Sequence, residues 1–85
     1  MTIQEIMARI NYDVDRLRYS GNYEREMAIL LTRELFTEIS LHYIGTVPED
    51  DANTKMFGIP VRVVTGEGRE WFVSAVHGIA PKEGN

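Results

Sequence analysis

Met27-Ala28-Ile29-Leu30-Leu31-Thr32-Arg33-Glu34-Leu35-Phe36 is the stretch on which the fold turns. Its first five residues form an unbroken apolar run, the pattern of a short central strand covered on both sides. Propensity alone would make Asn22 to Ile44 one helix, because the segment is rich in Glu, Met, Ala and Leu. That helix would spread Met27, Ala28, Ile29, Leu30, Leu31, Leu35, Phe36, Ile39, Leu41 and Tyr43 nearly all round the wheel, which a small surface helix cannot bury. A division at Thr32 removes the conflict. Met27 to Leu31 becomes a strand and Thr32 the N-cap of a helix. The face of that helix is Leu35, Phe36, Ile39 and Tyr43, leaving Leu41 outside it, and Gly45 ends it.

Working outward, Thr2 and Glu5 form a capping box, so a helix starts at the N-terminal side. Ile3, Met7, Ile10, Val14 and Leu17 follow at alternating steps of four and three, the narrow seam of a coiled-coil-like helix. Gly21 stops it, which places the helix over Thr2 to Tyr19. On the other side, Thr46 to Lys55 has loop composition, with Pro48, Glu49, Asp50, Asp51 and Asn53. Phe57 to Val64 then reads as a strand with Pro60 near its start, and Trp71 to Val76 as another. The glycine-containing turn Thr65 to Arg69 between them predicts a β-hairpin. The expected fold is α+β, in the order helix, strand, helix, hairpin, around a three-stranded sheet, with one domain over residues 1–85 and a polar tail from Pro81 to Asn85.

Composition narrows the functional classes. The chain has 85 residues, 44% of them hydrophobic, enough for one small core. Nine Lys and Arg against 13 Asp and Glu give a net charge of −4, which argues against nonspecific nucleic-acid binding. The absence of cysteine removes disulfides, thiolate metal sites and a cysteine nucleophile. No apolar run approaches the ~20 residues that span a bilayer, and the N-terminus lacks the pattern of a signal peptide, so the expectation is a soluble protein that does not engage a membrane.

Ala28-Ile29-Leu30-Leu31-Thr32-Arg33-Glu34-Leu35 and Phe57-Gly58-Ile59-Pro60-Val61-Arg62-Val63, in that order with a loop between them, resemble a segment found in small phage and prophage proteins. The same phrasing is similar to a stretch of the tailed-phage major capsid fold. The chain is too short to hold the remaining capsid elements, so the resemblance implies a small phage-encoded α+β protein, located in the host cytoplasm or in the virion.

Candidate chemistry is sparse. His42 and His77 lack the spacing of a metal site or a catalytic base. Glu49, Asp50, Asp51 and Asn53 offer oxygen ligands, yet Lys55 and Met56 stand where an EF-hand loop needs a ligand and a glycine. Gly66-Glu67-Gly68 precedes a strand, so no helix N-terminus faces an anion there. Ser20, Ser40 and Ser74 have no partner base. The reading is therefore a non-enzymatic protein without cofactor or metal. Arg16, Arg18 and Arg25, interleaved with Tyr12, Tyr19 and Tyr23, form the one candidate site for a nucleotide or other phosphate-bearing ligand, although Asp13, Asp15, Glu24 and Glu26 offer them internal ion pairs.

The leading expectation is association. If the second helix takes one face of a small sheet, the seam Ile3, Met7, Ile10, Val14 and Leu17 is left to pair with a second copy, and an uncovered strand edge offers another route. The function expected is protein–protein binding with self-association, as a virion component or as an inhibitor that occludes a host factor, with the acidic Glu49 to Asp51 surface facing a basic site. The alternative is a sequestering protein for a phosphate-bearing ligand.

Overall fold

The computed structural model describes residues 1–21, 23 and 26–75. In chain order the elements are α1 (Ile3–Tyr19), β1 (Met27–Thr32), α2 (Arg33–Tyr43), β2 (Lys55–Met56), β3 (Ile59–Val64) and β4 (Trp71–Ala75), an α+β architecture. Arg25, Val76, His77 and the tail from Pro81 to Asn85 lie outside the described residues.

Both ends of α1 follow from local chemistry. Thr2 Oγ1 accepts from the Glu5 N–H at 3.1 Å, while Glu5 Oε1 accepts from the Thr2 N–H at 2.7 Å, so each satisfies a donor left orphaned at the helix start. The Thr2 backbone N–H, helped by the N-terminal charge and Arg9, holds the Glu5 carboxyl below its ordinary value. At the other end the Ser20 N–H reaches the Arg16 and Leu17 carbonyls and the Gly21 N–H reaches that of Arg18.

The division at Thr32 is present as read. Chain direction changes there from the β1 ladder into α2, with Thr32 extended at φ −67° and ψ 159°. Its side chain does not cap the helix. The hydroxyl instead donates to the Gly68 carbonyl at 2.6 Å and accepts from the Glu70 N–H at 3.2 Å, and the Thr32 N–H donates to the Glu70 carbonyl. A tertiary demand has displaced the local one. α2 ends as the Ile44 and Gly45 N–H groups both turn back to the Ser40 carbonyl.

The sheet has four strands, in the order β2-β3-β1-β4, and corrects the hairpin expectation. β1 lies between β3 and β4, parallel to β3 (Ile29 opposite Val61) and antiparallel to β4 (Ile29 opposite Val73). Residues 65–70 therefore cross two inter-strand spacings, roughly 10 Å, which a six-residue connection spans easily. The crossing passes over the end of β1, where Thr32 holds it. A Cβ on Gly66 would stand 3.2 Å from Thr32 Cγ2, so a residue without a side chain is what fits there. Arg69 anchors the same connection by a forked pair to Glu38 of α2 (Nη2 to Oε1, 2.7 Å) and by donating to the Met1 carbonyl.

The hairpin of this fold is elsewhere, between β2 and β3. Met56 opposes Ile59, and the two turn residues Phe57 and Gly58 have φ of 55° and 80°, the doubly positive signature of a type I′ turn. Phe57 therefore belongs to the turn and not to the strand expected to start there.

The core lies on one face of the sheet. Met27, Ile29 and Leu31 of β1, with Ile59 and Val61 of β3, meet Ile6, Ile10 and Val14 of α1 and Leu35, Phe36 and Ile39 of α2. Both helices thus share that face. α1 packs over β4 through Trp71, whose indole N–H donates to Asp13 Oδ2 at 3.2 Å.

Candidate protein interface

Alternation along the strands directs the second set of side chains to the opposite face: Ala28, Leu30 and Thr32 from β1, Pro60, Arg62 and Val64 from β3, and Phe72 and Ser74 from β4. Arg62, Leu30 and Phe72 stand in one row across three strands, because Leu30 opposes both of the others. Phe72 is 60% exposed and Leu30 is half-buried. At the two ends of β1 on this face Ala28 and Thr32 are buried, Pro60, Val64 and Ser74 are half-buried, and Arg62, like Phe72, is exposed.

The two lateral edges can be read group by group. β3 turns the N–H groups of Val61 and Val63 away from β1. The first donates to the Thr54 carbonyl at 2.9 Å and the second to Asp51 Oδ2 at 2.6 Å, while β2 pairs the start of the strand. Asp51, read from sequence as part of a solvated acidic docking surface, is half-buried and part of this edge.

On β4 the pairing of the Thr32 N–H with the Glu70 carbonyl sets the phase of the ladder. Thr32/Glu70, Leu30/Phe72 and Ala28/Ser74 are then the hydrogen-bonded pairs, so Trp71, Val73 and Ala75 turn both N–H and C=O outward. Among the described residues no strand pairs with that side. Beside it lies a hollow of ≈ 190 Å³ lined by Asp13, Arg16, Leu17, Ser20 and Val73.

The seam of α1 is not the uncovered surface. Ile10 and Val14 are 0% exposed within the single chain, while Ile3, Met7 and Leu17 are half-buried against the same core. The reason is Ile6, which the seam left out and which is fully buried. With Ile6, Ile10 and Val14 at steps of four beside Ile3, Met7 and Leu17, the stripe is as wide as that of an ordinary core-facing helix. The expectation that α2 would occupy one face and leave α1 spare is corrected by the placement of both helices together. Tyr43, assigned to the buried face of α2, is exposed.

The described arginine and tyrosine candidates lie on and after α1. The Arg16 guanidinium lies over the Tyr12 ring at 6.0 Å, whereas Arg18 turns to Asp15 at 3.4 Å and to the Phe57 carbonyl at 2.6 Å. Tyr19 is 89% exposed and Tyr23 is also exposed, while Arg25 falls outside the described residues. His42 stands exposed, edge-on to Tyr43 at 4.6 Å. Among the described residues no group of three or more His, Cys, Asp or Glu side chains could hold a metal ion, and no helix is long and apolar enough to cross a membrane.

Comparison with known proteins returns no match, whether to a family model, to a curated protein or to a solved structure.

Proposed function

We propose that this chain acts by binding protein through the face of its sheet turned away from the helices, associates with further copies of itself, and carries out no chemistry of its own. The observation that supports the reading is the row Arg62, Leu30 and Phe72, an aromatic and an aliphatic side chain beside a guanidinium on a flat three-stranded surface. Aromatic residues and Arg are the side chains enriched at interface centres. A sheet with helices on one side only buries half of its apolar potential inside the subunit. On the resemblance of Ala28–Leu35 and Phe57–Val63 to a phage segment, the role is that of a virion component or of an inhibitor occluding a host factor. These two segments are neighbours in the fold, since Ile29 opposes Val61.

The test is affinity capture from extract of the expressing cells, with wild type and Phe72→Glu immobilised side by side. Retention of a defined set of polypeptides by wild type, lost from a Phe72→Glu chain of unchanged circular dichroism, supports the reading. Identical retention by the two overturns it.

A further inference from the structure

We infer that two copies of this chain pair through β4, antiparallel about a two-fold axis at Val73, joining two four-stranded sheets into one of eight. The inference rests on the reading of the chain as a protein-binding module and names its partner, a second copy.

Three observations carry it. The first is the outward direction of the Trp71, Val73 and Ala75 N–H and C=O groups, which no strand among the described residues pairs and which form a template for another strand. The second is the lack, among the described residues, of any device against such pairing. Trp71-Phe72-Val73-Ser74-Ala75 holds no charge, no proline and no glycine, and the register to β1 is continuous without a bulge. The opposite edge is finished by β2, the Thr54 carbonyl and the Asp51 carboxylate. Among the described residues, only one side of the sheet is therefore left open to extension.

The third is self-complementarity, which selects a second copy over a foreign strand. In a two-fold antiparallel pair centred on Val73, Trp71 of one copy faces Ala75 of the other, and Phe72 faces Ser74. Each large side chain thus meets a small one, and Val73 meets itself. All three facing pairs among Trp71, Val73 and Ala75 are of the hydrogen-bonded kind, giving about six backbone bonds. The helix-side set meets the helix-side set, so the uncovered faces of the two copies become continuous. The hollow floored by Leu17 and Val73 lies at this edge and has no β1 or β3 residue in its lining, so an incoming strand covers it.

The experiment exploits the phase of the ladder. Val73 does not hydrogen-bond to β1, so Val73→Pro removes a donor that only a second copy uses and leaves the β1–β4 ladder intact. Sedimentation velocity should give wild type twice the chain mass, with a dissociation constant in the micromolar range, and Val73→Pro the mass of a single chain with unchanged circular dichroism. Because the chain contains no cysteine, Val73→Cys provides a second reading that survives a misfolded proline variant. Mild oxidation should link it into a disulfide dimer, and Phe72→Cys, which faces Ser74, should link far less. A monomeric wild type overturns the pairing while leaving the capture result to decide the wider reading. A dimer that persists in a folded Val73→Pro chain, or a dimer in which Val73→Cys fails to cross-link, overturns it equally.

Discussion

The two sides of this sheet are finished by different means. Beyond β3, a two-residue strand pairs its start, a loop carbonyl and a carboxylate take the outward N–H groups of Val61 and Val63, and the sheet stops. Beyond β4, nothing among the described residues does so. The faces repeat the contrast, with two helices on one and, on the other, the exposed side chains of Arg62 and Phe72 among half-buried neighbours. Edge and face are separate problems for a sheet, and the described residues solve each on one side only. The side left unfinished carries Trp71 and Phe72, two of its largest apolar residues.

Substitutions can break or sharpen that contrast. The largest expected effect is that of Ile10→Ala, on the covered face. Truncation of a fully buried isoleucine costs about 2–5 kcal/mol, comparable to the whole stability of a domain this size, whereas Phe72→Ala on the bare face should cost less than about 1 kcal/mol. Chemical denaturation of both variants checks it, and equal costs would erase the distinction between the faces. Next is Asp51→Ala, which strips the carboxylate from the Val63 N–H. A hydrogen bond to a charged acceptor is worth about 1.5–3 kcal/mol, so stability should fall by about 2 kcal/mol and hydrogen exchange at the Val63 amide should accelerate.

Phe57→Asn acts in the opposite direction. It places a residue that tolerates positive φ in a type I′ turn and should add about 1 kcal/mol, raising Tm by roughly 4–8 °C, so the finished edge becomes firmer still. The smallest effect belongs to Glu5, far from either edge. Its carboxyl is held below the ordinary value of 4.5, so its contribution is present above that pH and disappears as pH falls through the lowered folded value. Glu5→Gln should differ from wild type in thermal stability at neutral pH and converge with it in acid.

Much of this fold was legible because its signals are local. The capping box of Thr2 and Glu5 and the break at Thr32 each lie within a few residues, and both stand in the structure as read. The neighbours of β4 were not legible. A turn and two strand-like runs specify a reversal of direction, but not whether a third strand enters between them, and here β1 does. The true hairpin was hidden by Phe57, an aromatic at a position where Asn or Asp announces the turn. The part played by Asp51 depends on a contact twelve residues along the chain, which composition cannot show. Without Ile6 the stripe of α1 reads as narrow enough to be spare for a partner. The residues proposed to carry the interaction, Leu30, Arg62 and Phe72, alternate with core residues on three separate strands and are joined only by the register.

The central position of β1 has a consequence for synthesis. The strand is made before either of its neighbours, residues 59–64 and 71–75, so a nascent chain holding Met27 to Leu31 has no mate for it until Ile59 and the residues after it have followed. Helix α1 and the turn of β2 into β3 can form while translation continues. Closure of the sheet waits for Ala75 to leave the ribosome, and during those seconds the most apolar segment of the molecule depends on chaperones or on speed to escape aggregation.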